Sequence, residues 1–300
     1  MNTPTAALVF ALLAARPQDR SGGTESQDGT IPPEVHIRTD EFVAARAAFH
    51  TSLVRKGPAP PKATMPAAPA GVSAIEFPSS ELRLTGWLQR PKENDARAPA
   101  VVFLHGGFAF GREDWQMAQP FRDAGYAVLA PMLRGENGQP GTYTLFYDEV
   151  DDVLAAGRWL AAQSFVDAKH VYVAGHSVGG TLALLAALST KDFAAAVSFS
   201  GSPDQVIYCN VGIAPEQIPF DASDPHELEL RSPLAFATSF KCPARLFFGT
   251  DEPHFRLSSE RTAELARAAK LDVEAHAIEG GHESAVPAAM EQAIAFFEEH

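Results

Sequence analysis

The 300-residue chain has only two cysteines, Cys209 and Cys242. Two are too few for a disulfide scaffold, and their spacing matches no zinc motif. They read as ordinary buried thiols, with a single disulfide as the alternative if the protein is exported. Long basic runs are missing as well. The chain carries 24 Lys and Arg against 37 Asp and Glu, a formal net charge of −13. Tracking a phosphate backbone requires clustered cations, so nucleic acid is excluded as a partner. No apolar stretch has the length of a membrane span, so no stable membrane insertion is expected. No H-x-x-x-H pair occurs, and His105 and His176 have no ligand partners at useful spacing, so no metal is expected. Phosphate loops and dinucleotide glycine fingerprints are absent too, and no cofactor is expected. No internal repeat is visible, and nothing in the sequence specifies an oligomeric state.

The remaining composition, 46% hydrophobic and 20% charged, is that of a globular chain. Its organisation changes along the sequence. Residues 1–33 read as a leader or flexible tether. Ala6 to Ala15 is apolar and ends in small residues, as a signal peptide would, yet no Lys or Arg precedes it. Export and a cytoplasmic location both stay open on this reading. Residues 34–71 read as an N-terminal arm. A helix is expected from Asp40, as its cap, to about Lys56, with Phe42, Phe49 and Leu53 near one face and Gly57-Pro58 as its stop. The Pro/Ala-rich stretch 57–71 then acts as a linker.

From Val72 to His300 the pattern becomes one of alternating strands and helices. Two adjacent strands are expected around a turn at Pro78-Ser79-Ser80. Apolar strand-like runs follow at 99–105, 126–132, 170–175, 194–200, 244–249 and 272–278. Helical patterns near 113–124, 147–163, 178–190, 258–270 and 284–299 separate or follow them. Short apolar strands alternating with amphipathic helices imply a mostly parallel sheet covered on both faces.

Within that pattern one stretch carries chemistry. HVYVAG (170–175) runs into Gly175-His176-Ser177-Val178-Gly179, and an apolar helix-forming run begins at once. In parallel sheets, ligands gather where strands end and helices begin. A serine there must turn sharply, and flanking glycines permit the close approach. G-x-S-x-G alone is a weak signal, and a Gly-rich turn whose serine merely caps the helix is the competing reading. The strand before it and the helix after it supply the context the motif requires.

A serine hydroxyl needs a base, and the base needs an acid to orient it. Of the downstream histidines, His282 follows the strand-like VEAHAI and the tight loop Glu279-Gly280-Gly281, which can bring an imidazole to the sheet edge. His254 is its main rival. His276 reads as structural and His226 as a surface residue. The acid should also follow a strand, and ARLFFG-Thr250 leads to two carboxylates, Asp251 and Glu252, both kept as candidates. The strand-like AVVFL leads into His105-Gly106-Gly107-Phe108, where backbone amides can approach a ligand. The amide of Gly107, or of Phe108 as the alternative, together with that of Val178 would form an oxyanion hole. His105 and His176 read as structural, and the His176 side chain is expected to point away from the base.

These features resemble the α/β-hydrolase superfamily, and within it the prolyl oligopeptidase catalytic domain and dienelactone hydrolase-like esterases. The residues that carry the resemblance are HGG at 105–107, PMLRGENGQPG at 131–141, the stretch 148–180 around the elbow, RSPLAFATSFKCP at 231–243 and GGH at 280–282. The resemblance covers residues 72–300. It implies an α/β-hydrolase fold with an eight-stranded, mostly parallel sheet, cofactor-free hydrolysis and an acyl-enzyme on Ser177. The chain has no room for the β-propeller of the large oligopeptidases. Family members often place an Asp three residues after the strand-ending glycine. Here that position, three after Gly249, is Glu252, so spacing favours Glu252 and residue type favours Asp251. The long connection 201–230 is expected to help form the substrate pocket. Phe108, Phe110, Tyr143, Phe146, Tyr208 and Phe220 are candidates to line it, against plain core packing. The sequence therefore points to a serine esterase acting on a small-molecule ester. A peptidase cleaving short peptides is the second reading, and a catalytically silent binding protein the third.

Overall fold

The computed structural model describes residues 34–60, 62–91 and 97–300. The leader expectation for 1–33 lies outside them. The elements begin with α1 (Phe42–Ala48), β1 (Ser73–Ser79), β2 (Leu82–Gln89) and β3 (Ala98–Leu104). Next come α2 (Arg112–Met117), α3 (Gln119–Asp123), β4 (Ala127–Pro131), α4 (Glu149–Ala161), β5 (Val166–His176) and α5 (Val178–Ser189). The chain continues through β6 (Ala196–Phe199), α6 (Gln205–Ile207), α7 (Pro225–Glu229), β7 (Ala244–Gly249), α8 (Pro253–Ala268), β8 (Val273–Ile278) and α9 (Val286–Glu298). The eight strands form one sheet in the order β1-β2-β4-β3-β5-β6-β7-β8. β1 pairs antiparallel with β2, and β2 with β4, while every other pairing is parallel. This is the α/β-hydrolase fold with its mostly parallel sheet.

Period-two alternation builds two cores. Ala100, Val102 and Leu104 of β3 face one, and Val101 and Phe103 face the other. Helices α4, α5 and α8 cover the first face, and α2, α3 and α9 the second. Helix α5 is buried on nearly every side, as its run of Leu and Ala requires.

Three expectations are corrected. The arm helix stops at Ala48, well short of Lys56, because the residues beyond it find tertiary partners. The Tyr147 hydroxyl donates to the Phe49 carbonyl at 2.8 Å. Thr51 Oγ1 and the Ser52 amide donate to Glu227 at 2.8 and 2.6 Å, and Leu53 bridges to Phe220. Asp40 caps nothing; it receives the Arg38 guanidinium at 2.8 and 2.7 Å. The helical pattern at 113–124 divides into α2 and α3, with Pro120, which has no amide to donate, in the first turn of the second. The first hairpin turns at Ser80-Glu81, so Pro78 and Ser79 belong to β1.

Both cysteines are free thiols, and burial pushes each up to about 12. No described helix is long and apolar enough to cross a membrane.

Candidate active site

Ser177 is the single residue between β5 and α5. Its φ of 54° and ψ of −116° put a non-glycine residue in sparsely populated backbone space. The surrounding fold holds it there. Its amide donates to the Phe199 carbonyl at 2.8 Å, and its carbonyl accepts from the Thr181 amide at 3.1 Å. The flanking glycines are sterically required. A Cβ on Gly175 would lie 2.2 Å from the Gly179 carbonyl oxygen, and one on Gly179 would lie 2.3 Å from that of Leu104. Strand and helix therefore cross at backbone contact, and the α5 N-terminus is aimed at the serine, where it favours negative charge.

His282 follows β8 on the Gly280-Gly281 loop. Its Nδ1 lies 2.6 Å from Glu252 Oε1, so that nitrogen carries the proton and Nε2 keeps its lone pair. Glu252 directly precedes α8 and is buried. Its Oε2 accepts from the Ser200 hydroxyl at 2.6 Å and the Gly249 amide at 2.8 Å. Burial alone would raise this carboxyl, but the bonds from His282, Ser200 and Gly249 outweigh it and hold the group below its ordinary range. Asp251 is exposed, and its carboxylate has no hydrogen-bond partner among the described residues. His254 is exposed on α8. The Ser177 hydroxyl makes no hydrogen bond to His282 among the described residues; in unliganded enzymes this bond is often long until substrate arrives. The ring of His282 packs 5.4 Å from Phe255 and is 38% exposed.

His176 does not point away from the base. Its ring lies 4.7 Å from the His282 ring, and Nε2 donates to the His282 carbonyl at 2.9 Å. Burial depresses its pKa, so it stays neutral. The bond ties the residue beside the elbow to the loop that carries the imidazole.

The His105-Gly106-Gly107 turn follows β3. Asp114 on α2 accepts from the Gly106 amide at 3.2 Å and the Gly111 amide at 2.8 Å. Gly107 has φ 63°, which favours glycine. The amides of Gly107, Phe108 and Val178 donate to no protein acceptor among the described residues.

The six candidate pocket aromatics divide. Phe108 packs on Tyr143 at 5.4 Å, and Phe146 on Tyr208 at 5.8 Å, all in or against the core on the α4–α5 face. Phe110 instead packs on Trp87 at 4.9 Å in the opposite core. Phe220 is committed beneath the Arg231 guanidinium at 3.9 Å. Among the described residues no group of three or more His, Cys, Asp or Glu is placed to hold a metal ion.

The sequence model of the alpha/beta hydrolase family matches residues 101–295. The chain belongs to that family. The hydrolase is 25% identical over 193 residues to an uncharacterized peptidase of Bacillus subtilis, covering 58% of this chain and 71% of that one. It is 36% identical over 112 residues to an ethyl acetate hydrolase of Pseudomonas putida, covering 33% of each chain. Its fold is similar to a puromycin-hydrolyzing peptidase of Mycobacterium tuberculosis, with a TM-score of 0.68 and 22% identity over 76% of this chain and 40% of that chain. By family and fold, with a serine at the elbow, it is a serine hydrolase.

Sequence reasoning missed several groups that order the site of this alpha/beta hydrolase. Ser200 sits one residue past β6 at φ 49° and donates to Glu252. A polar residue at the carboxyl end of a buried strand, in FSGS, was its available signal. Asp114 lay hidden as one acidic residue among several, since only the folded chain shows its carboxylate gripping two amides.

Proposed function

We propose that this hydrolase cleaves small carboxylic esters through an acyl-enzyme on Ser177, with His282 as general base and Glu252 as the acid that orients it. The observation that carries this reading is the 2.6 Å contact between His282 Nδ1 and Glu252, on the loop tied to the strained serine turn through His176. His282 Nε2 takes the proton as Ser177 Oγ attacks the ester carbonyl. The carbonyl oxygen gains negative charge and is met by the amides of Gly107 and Val178, with Phe108 as the alternative donor, and by the N-terminus of α5. The imidazolium then protonates the departing alkoxide. A water, deprotonated by the same nitrogen, hydrolyses the acyl-enzyme by the reverse sequence. Glu252, ionised and desolvated, favours the imidazolium in both halves.

The ester preference is supported by the relative named for ethyl acetate. An alkoxide leaves with less help from an acid than an amine does. The peptidase among the relatives supports the second reading, cleavage of short peptides by the same steps. A fluorophosphonate probe should label the wild type and leave Ser177→Ala unlabelled. Turnover of short-chain p-nitrophenyl esters against aminoacyl anilides then separates the two readings. A folded protein that neither labels nor cleaves any acyl substrate would overturn both.

A further inference from the structure

The sequence reading of His105 as merely structural leaves its chemistry unused. His105 directly follows β3, is 3% exposed, and meets an acceptor at each ring nitrogen. Nε2 lies 2.8 Å from Glu136 Oε2, and Nδ1 lies 3.0 Å from the Gly106 carbonyl oxygen. A neutral imidazole donates from one nitrogen only, so two acceptors call for the imidazolium. Burial by itself would push the ring down, but the charge and hydrogen bond of Glu136, the charge of Asp114 and the Gly106 carbonyl outweigh it and lift the ring to about 9. From the neighbouring elements, Glu136 approaches after β4 and Asp114 from α2, while His176 at the end of β5 lies against Gly106 and the Phe110 ring caps the site at 5.8 Å. Glu136 is itself fixed by the Leu133 amide at 3.2 Å.

The peptide joining Gly106 to Gly107 is planar, and its carbonyl and N–H point in opposite directions. Holding the carbonyl on the buried imidazolium turns the Gly107 N–H away from the core. The elbow lies beside this turn, since a Cβ on Gly106 would lie 3.6 Å from Ser177 Cβ. Asp114 grips the Gly106 amide, so the peptide planes on both sides of Gly106 are fixed.

We propose that the protonated His105, anchored by Glu136, is the positioning residue that presents the Gly107 N–H to the reacting oxygen, and that loss of its proton sets an alkaline limit on catalysis. This rests on the reading of Gly107 as an oxyanion donor. Neutral His105 keeps one N–H, and the Glu136 carboxylate competes best for it. The Gly106 carbonyl then loses its donor, and the peptide is released to rotate. A cationic donor also polarises that peptide and strengthens its N–H.

The test is the pH profile of p-nitrophenyl acetate turnover by wild type and Glu136→Gln, with fluorophosphonate labelling of Ser177 and a thermal melt on each. Wild-type kcat is expected to fall as pH rises through about 9. In Glu136→Gln that alkaline limb should move down by at least about one pH unit, toward the ordinary histidine range. Its kcat at pH 8 should fall about tenfold or more, with KM within about twofold, because the donor acts on the transition state. Should Glu136→Gln not fold, nitrogen-15 NMR of the wild-type histidines decides instead. A buried imidazolium at pH 8 that loses its proton together with kcat supports the proposal, and a neutral His105 at pH 8 overturns it. Labelling with an unmoved alkaline limb overturns this inference alone. A folded wild type that does not label overturns the oxyanion reading and this inference with it.

Discussion

Asp251 and Glu252 stand side by side, and at the level of single residues the fold treats them oppositely. Glu252 is buried with three donors on its carboxylate, and Asp251 lies in solvent. Glu252→Gln is expected to lower kcat by about 10²- to 10⁴-fold, since the imidazole loses its tautomer and its counter-charge. Asp251→Asn should stay within about twofold; steady-state kinetics on one ester compares them, and equal losses would sink the assignment of Glu252. The sequence left these two carboxylates open because chain spacing and residue type disagreed, and burial is invisible in a linear string. Ser177 and His282 were legible because each follows a strand signal beside glycines. Ser200 and Asp114, which hold Glu252 and the Gly106 turn, were not, because each acts through a contact made by folding. His176 was read as pointing away, because a contact between two histidines on separate loops has no local signature.

Among the elements, long apolar runs were readable, and β7 matches its expected bounds of 244–249. Short amphipathic patterns were not, and α1 shows why. Seven residues of helix carry too few hydrogen bonds to resist Tyr147 and Glu227, which bind the next residues in extended form. The crossing of β5 and α5 gives a sharper expectation. Gly179→Ala would place its methyl against the Leu104 carbonyl, so a loss of about 3 kcal/mol is expected in urea unfolding. A variant of unchanged stability would show that the crossing can relax. The first turn of α4 holds a pH-dependent group. Burial raises the Glu149 carboxyl to about 7, against the bonds from the Thr144 hydroxyl and amide that act to lower it. An acid raised in the folded state binds more protons there than in the unfolded chain, so stability falls as pH climbs from about 4.3 to that value. Glu149→Gln should flatten this part of the urea midpoint–pH curve, and an unchanged slope would assign the titration elsewhere.

On the scale of the whole molecule, the arm is strapped to the domain through a few polar anchors. Val35 donates to Asp204 at 3.2 Å and Arg38 to Glu229 at 2.8 Å. Glu227 is the busiest anchor, receiving Thr51, Ser52 and, at 2.5 Å, the fully buried Arg231 guanidinium. Glu227→Ala would leave Arg231 without its carboxylate, a loss of about 3–5 kcal/mol. At roughly 2–4 °C per kcal/mol, a thermal melt should fall by about 6–20 °C. A drop of only a degree or two would mean that Arg231 finds another acceptor. The strained turn at Ser177 has a consequence of a different kind. Only a molecule stable enough to hold that residue at φ 54° can keep its hydroxyl presented. Ser177→Gly, which has no Cβ to strain at this φ, should therefore melt a few degrees higher than the parent, the relief of about 1–3 kcal/mol being offset in part by glycine's looser unfolded chain. Under the proposed acyl-enzyme mechanism the inert variant would be the sturdier protein, which makes it the natural choice for trapping uncleaved substrate in crystals.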